Sequence, residues 1–306
     1  MDRGHLKSGY CTNKASSEFK DLIKKIKAKY IIVSYNNTGE KINSRSNAKM
    51  SDVEIIEILE AKGKVAVYEK DFNAFTTGKT KLNEHKERLF VCEVETASKP
   101  RVSKKNIKNL LTIGSDIVAK SPLNYTGGKA KLIPQIAKKI PDNIGVFYDI
   151  FSGGANVAIN TDAEIIKCVD INPDLMNLMN YIKSMEYNEL IELIEKKLDY
   201  YELSNSIKHG YEYYGCNSSN GLGSYNKSPF LKLRSDYNKN RNNLLFLILI
   251  FFSFNNQIRF NSKKEFNLPV GKRDFNASLR NKLRLFMKRL ANKEIEFVCQ
   301  DFRKLK

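Results

Sequence analysis

The sequence predicts an α/β fold built on a doubly wound sheet, and three observations carry that prediction. The apolar run Phe147-Tyr148-Asp149-Ile150-Phe151 leads into Ser152-Gly153-Gly154-Ala155-Asn156-Val157, and Cys168-Val169-Asp170-Ile171-Asn172 follows. That order reads as a buried strand, a glycine turn opening a helix, and a second strand ending in a carboxylate. Just upstream, Pro122-Leu123-Asn124-Tyr125-Thr126-Gly127-Gly128-Lys129 places a glycine pair before an apparent helix over 132–140. Downstream, apolar residues recur at helical spacing through 174–200, at Leu175, Leu178, Met179, Ile182 and Met185 and then Leu190, Ile191, Ile194 and Leu198. They are core positions and are assigned no ligand.

The first two patterns also carry chemistry. Small residues after a strand let backbone approach a ligand closely, and a carboxylate at the next strand end can grip ribose hydroxyls. An adenosine-containing cofactor suits such a corner, although the spacing is not that of the dinucleotide G-x-G-x-x-G motif. Tyr125, the glycine pair and Lys129 at a helix start suit an anion-binding, base-stacking corner.

The remaining elements follow from the same rules. Residues 17–29 form a short amphipathic helix with Phe19, Leu22, Ile23 and Ile26 on one face. Residues 30–37 read as a buried strand running into a polar loop, 52–59 as a second helix, and 65–68 and 88–94 as strands around a basic loop. Residues 95–117 hold Pro100, several lysines and no long apolar period, the composition of a linker. Residues 244–254 are the longest apolar stretch; eleven residues are too few to span a bilayer, so this is a buried helix leading into a hairpin. Residues 295–299 read as a final strand.

The motifs in this order, ending with Phe254-Asn255-Asn256-Gln257-Ile258-Arg259-Phe260-Asn261 and Glu265-Phe266-Asn267-Leu268-Pro269-Val270-Gly271, resemble the Dam-like family of DNA adenine methyltransferases. The resemblance covers about residue 121 onward. It implies transfer of a methyl group from S-adenosylmethionine to the 6-amino group of adenine in double-stranded DNA, within a restriction-modification system. Matched by position, Tyr125 and Lys129 correspond to the first cofactor motif, with Lys129 near the methionine carboxylate. Asp149, Phe151 and Gly153 correspond to the cofactor loop, Asp170 to the ribose-binding carboxylate, and Asp301 and Phe302 to the pair at the adenine ring. Asn124, Arg259 and Asn261 correspond to DNA-contacting positions. For Arg259 and Asn261 the alternative is ordinary hairpin surface.

The N-terminal elements resemble the end of a methyltransferase of the same family, the part that follows the catalytic loop, yet here they come first. The resemblance therefore divides the chain into the tail of one domain (1–95), a linker (96–117) and the cofactor-binding head of another (118–306). A mostly helical DNA-recognition insertion occupies about 175–276. Within it, Tyr211, Tyr213 and Tyr214 either stack on bases or pack. Lys227, Lys232 and Arg234 either meet phosphates or form a solvated basic face. The family catalyses with an Asp/Asn-Pro-Pro-Tyr loop, and this sequence contains no Pro-Pro pair. Because adenine's amino group is a weak nucleophile, that loop accepts its hydrogens and stacks on the flipped base. No catalytic residue is assignable here. The strand that precedes the loop is missing as well, which leaves a Rossmann-like methyltransferase sheet without its central strand and with unpaired inner edges. An internal piece of a tandem protein, a subunit completed in trans by a second polypeptide, and a disrupted reading frame all fit. A non-catalytic remnant that binds S-adenosylmethionine or DNA is the alternative function.

Composition agrees without deciding. The formal charge of +18, from 52 Lys and Arg against 34 Asp and Glu, suits phosphate contacts and salt-sensitive binding to DNA. A Lys- and Asn-rich composition from an AT-rich genome would give the same balance. Cys11, Cys92, Cys168, Cys216 and Cys299 form no Cys-x-x-Cys pair, so reduced thiols, no metal and a cytoplasmic location are expected, with no signal peptide or membrane partner.

Overall fold

The structure, a computed structural model, describes residues 14–36, 50–71, 86–95, 118–125, 127–216 and 221–305. The linker expected over 96–117, Cys11, Thr126 and positions 217–220 lie outside them. The chain forms two compact units, Met1–Leu111 and Thr112–Lys306.

In the first unit, α1 (Ala15–Lys25) and α2 (Asp52–Glu60) accompany β1 (Tyr30–Asn36), β2 (Gly63–Asp71) and β3 (Lys86–Val94). The sheet is antiparallel in the order β1-β3-β2, with Ile32 opposite Val91 and Val67 opposite Phe90. Phe19 and Ile23 of α1 and Ile55 and Leu59 of α2 bury against Ile31, Phe90 and Cys92. α1 ends earlier than its apolar period suggests, because Ile26 already has extended backbone. α2 starts with a capping box: Ser51 accepts from the Glu54 amide, and Glu54 accepts from the Ser51 amide. Gly63 is obligatory at the start of β2, since a Cβ there would lie 2.0 Å from the Glu93 carbonyl oxygen. Arg88 is buried and pairs with Asp52 at 2.5 Å.

The second unit is built on a parallel sheet. β4 (Ile144–Ile150), β5 (Ala163–Asp170) and β6 (Ile295–Cys299) lie in the order β4-β5-β6, with Tyr148 beside Lys167 and Lys167 beside Glu296. α3 (Ile133–Ala137) precedes β4, and α4 (Pro173–Ser184) and α9 (Ala277–Ala291) pack near the sheet. Beyond them lie α5 (Tyr187–Tyr201), the single turn α6 (Ser206–His209), α7 (Gly223–Asn240) and α8 (Asn243–Phe252). α8 is the apolar stretch anticipated from the sequence and is buried along its length from Leu244 to Phe252. No helix among the described residues is long and apolar enough to cross a membrane.

Three local expectations change. β4 is not buried: Val146 is 47% and Tyr148 44% exposed, because among the described residues β4 is the outer strand of its three-stranded sheet and pairs with β5 alone. The glycine turn opens no regular helix and passes through one 3₁₀ turn, Ala158–Asn160, into β5, since left-handed residues in the loop break helical hydrogen bonding. The segment 254–270 folds back as a hairpin without regular strands, held by isolated bridges between Phe260 and Phe266 and between Ser253 and Val270.

Candidate functional site

The loop after β4 turns sharply. Phe151, Gly153 and Ala155 all have left-handed backbone, with φ of 64°, 49° and 56°, which carries the chain back across the end of the sheet. The Ser152 amide donates to the Val169 carbonyl at 3.0 Å, so the turn is stapled to β5. The Gly153 amide then donates to Asp170 Oδ2 at 3.1 Å, and the Asn172 amide donates to Asp170 Oδ1 at 3.0 Å. Each carboxylate oxygen keeps a second lone pair. The carboxylate is thus buried, fixed at the strand end and still able to accept from a ligand hydroxyl.

Tyr125 closes the corner. A Cβ on Gly153 would lie 2.7 Å from Tyr125 Cδ1, so the ring rests directly on the glycine backbone. Burial pushes its phenol up, the neighbouring Asp170 charge adds to that, and a hydrogen bond with Asn172 opposes both. Asp149 sits beneath the loop, where its Oδ2 accepts from the Ala158 amide at 3.2 Å. Burial raises its carboxyl from 3.8 to about 7, against the Ala158 hydrogen bond and with a contribution from Asp170.

On the outer side Phe151, 52% exposed, faces Phe302 with ring centroids 5.1 Å apart and planes tilted by 59°. Asp301 is engaged by its own turn: it accepts from the Arg303 amide and side chain, and that guanidinium contact lowers its carboxyl below the usual range. Lys129 is half-buried in the turn leading to α3, where its carbonyl accepts from the Leu132 amide at 2.8 Å.

Tyr125, Asp149, Phe151, Gly153, Asp170 and Phe302 are therefore linked by direct contacts or close charges around one loop. Asn124, Arg259 and Asn261 belong to a neighbouring element. Asn124 donates through its side chain to the Asn255 carbonyl at 2.8 Å, and its amide donates to the Asn256 carbonyl at 3.2 Å. It ties the Tyr125 segment to the base of the hairpin. Arg259 is exposed and held in place by Asn267, with Nε donating to Oδ1 at 2.8 Å and a terminal nitrogen donating to the carbonyl at 2.9 Å. Asn261 organises the hairpin tip, its Oδ1 accepting from the Lys263 and Glu265 amides.

Sequence reasoning assigned no role to the asparagines that hold these parts together. Asn156 accepts from the Ser121 amide at 2.9 Å, and Asn160 bonds both the amide and the carbonyl of Ala119. Asn256 donates to the Ile250 and Phe251 carbonyls and so caps the end of α8. The position of Asn156 in the glycine loop was the available signal. Asn160 and Asn256 had none, because their partners are set by packing.

The parallel sheet, whose first strand ends in a glycine loop backed by a carboxylate at the tip of the next, is a mixed α/β arrangement that fits a methyltransferase fold. Residues 125–306 match the family model described as D12 class N6 adenine-specific DNA methyltransferase, and the chain belongs to that family. Among curated relatives, it is 32% identical over 97% of its length to the type II methyltransferase M.FokI of Planomicrobium okeanokoites. It is 33% identical over 99% of its length to the modification methylase StsI of Streptococcus sanguinis. A DNA adenine methylase of Haemophilus influenzae is 29% identical over 60% of the chain and 57% of that protein. The chain spans 42% and 43% of the first two relatives.

Proposed function

We propose that this chain is part of a DNA adenine methyltransferase of a restriction-modification system, using S-adenosylmethionine as methyl donor and double-stranded DNA as substrate. The observation that carries the reading is the Asp170–Gly153–Tyr125 corner, a buried carboxylate with acceptor capacity beside a glycine backbone under an aromatic ring. The residues fit the donor. Asp170 would accept from the ribose hydroxyls, and Phe151 and Phe302, with Asp301, would flank the adenine. Lys129 would meet the methionine carboxylate, Asp149 would hold the loop through the Ala158 amide, and the corner would exclude water from one side of the ligand. When bound, the donor supplies the activated methyl group; the chain's own residues orient it. Asn124, Arg259 and Asn261 would approach DNA from the hairpin.

The catalytic acceptor for adenine's amino hydrogens is not assigned to any residue here, because the sequence has no Pro-Pro pair. We infer that residues 1–95 are the tail of one methyltransferase domain and 118–306 the head of another, joined by a linker at 96–117. The insertion at about 175–276 would recognise DNA. On this reading the Rossmann-like sheet lacks its central strand, and polypeptide outside these 306 residues, in the same or a second chain, supplies that strand and the loop. The outer position and half-exposed face of β4 support it.

The test is methyl transfer from labelled S-adenosylmethionine to unmethylated DNA, with a cofactor titration on the same preparation. Binding without transfer is the expected result. Transfer by the pure chain would sink the missing-loop argument, and absence of binding would sink the cofactor assignment.

A further inference from the structure

The 3₁₀ turn Phe302–Lys304 closes the adenine end of the cofactor corner in two ways, and both run through the Arg303 side chain. The first concerns Asp301, whose carboxylate Arg303 occupies completely. Oδ1 accepts from the Arg303 amide and from Nε, each at 2.9 Å, and Oδ2 accepts from Nε at 3.1 Å and from a terminal nitrogen. A carboxylate oxygen offers two lone pairs, so the four bonds leave none for the amino group of an adenine. Asp170, at the ribose end, accepts one amide on each oxygen and keeps a lone pair on both.

The second concerns the ring slot. Phe151 and Phe302 stand 5.1 Å apart between centroids and are tilted by 59°, which is direct contact between two aromatic rings. A planar base between them needs about 3.5–4 Å on each side, or about 7–8 Å in all. The rings therefore have to part by about 2–3 Å before adenine can enter. Arg303 restrains that movement, because its guanidinium lies over the Phe302 ring at 5.8 Å from the centroid. The charge that grips Asp301 thus also rests on the ring that has to move.

The turn itself does not depend on this side chain. The Lys304 amide donates to the Asp301 carbonyl at 2.9 Å, and the Leu305 amide donates to the Phe302 carbonyl at 3.1 Å. The Gln300 amide donates to the Asp170 carbonyl at 3.1 Å, and the Gln300 side chain donates to the Lys304 carbonyl at 2.8 Å. The fork, by contrast, lies partly in solvent, with the Arg303 side chain 51% and that of Asp301 16% exposed. Ion pairs in such settings are weak and exchange readily for other partners.

We propose that Arg303 is a positioning residue that holds the adenine slot shut, and that the cofactor's adenine enters by displacing its guanidinium from Asp301 and Phe302. The inference rests on the reading that this corner takes S-adenosylmethionine. A site whose open form is only fractionally populated binds with an affinity reduced by that fraction. Removing the latch therefore tightens binding, the opposite of removing a residue that supports the site.

The test is calorimetric titration of the 306-residue chain with S-adenosylhomocysteine, whose charges cancel at neutral pH, and with adenosine, which carries none. Arg303→Ala keeps the backbone amide that caps Asp301 and removes the fork, and it should tighten binding of both probes about fivefold, the worth of an ion pair of this exposure. Arg303→Lys keeps the charge without the fork and should tighten both by a smaller factor. Circular dichroism checks that each variant is folded. Wild-type binding that is unchanged or weakened in Arg303→Ala overturns the latch and leaves the cofactor reading intact. Tightening in the alanine variant with none in the lysine variant also overturns it, since charge and not the fork would then be responsible. Binding by the alanine variant alone supports both the latch and the reading, and a failure of every form to bind either probe overturns both.

Discussion

Substituting Gly153 by Ala tests the cofactor corner at its tightest point. Two costs add. The residue sits at φ 49°, where an L side chain costs about 1–2 kcal/mol. The new methyl would also lie 2.7 Å from Tyr125 Cδ1 and 3.2 Å from Cε1, and forcing such a contact costs about 1–3 kcal/mol. Gly153→Ala should therefore destabilise the second unit by roughly 2–5 kcal/mol, a fall in melting temperature of about 5–15 °C for a unit of this size. The Tyr125 ring has to move, so affinity for S-adenosylmethionine should fall as well. Thermal unfolding followed by circular dichroism, with calorimetric titration of the cofactor, measures both. The steric share is isolated by repeating the substitution in a Tyr125→Ala background. There the left-handed cost should remain while the clash disappears, giving a coupling of about 1–3 kcal/mol. Strictly additive effects, or an unchanged melting temperature in the single variant, would refute the contact.

Three further outcomes follow from the same geometry. Asp149 has its carboxyl raised from 3.8 to about 7, chiefly by burial, so the native state holds its proton more tightly than the unfolded chain. Its contribution to stability is complete below 3.8 and is lost as pH climbs toward about 7, at up to about 1.4 kcal/mol per pH unit. Asp149→Asn should flatten that part of the stability–pH curve, and an unaltered curve from denaturant titrations would count against the burial argument. Asp170→Asn removes the charge that accepts from the Gly153 and Asn172 amides. Charged hydrogen bonds are worth about 1.5–3 kcal/mol, so cofactor affinity should drop between tenfold and a hundredfold, and an unchanged dissociation constant would rule out the ribose role. In the first unit, Ser51→Ala breaks the capping box of α2 and should cost about 1 kcal/mol, visible as faster amide exchange at its first turn and absent if the helix start is held by packing alone.

Much of this could be read along the chain because it is local. The carboxylate ending β5, the apolar run of α8 and the helical period of α4 and α5 all arise from residues close in sequence. The residues proposed for the cofactor corner also lie in contiguous motifs, and the chain belongs to the family those motifs suggested. Other features were illegible for physical reasons. The exposure of β4 depends on which strands pair with it, and nothing in Val146 or Tyr148 says that. The hairpin follows its turn signals but forms only isolated bridges, because its polar groups bond to Asn267, Glu265 and each other in place of a ladder.

What the sequence determined by itself was the set of groups and their order: glycine after a strand, a carboxylate at the next strand end, aromatics near them. Tertiary structure alone decided how those groups meet. Tyr125 rests on Gly153 because Asn156 and Asn160 bond back to Ser121 and Ala119, contacts 35 and 41 residues long in sequence. Tyr213 stands exposed on a stacked histidine because Asp274, 68 residues beyond Ser206, anchors the turn that carries that histidine. Periodicity reports what a residue's neighbours in the chain require. Hydrogen bonds and ring contacts across such distances exist only once packing has brought their partners together.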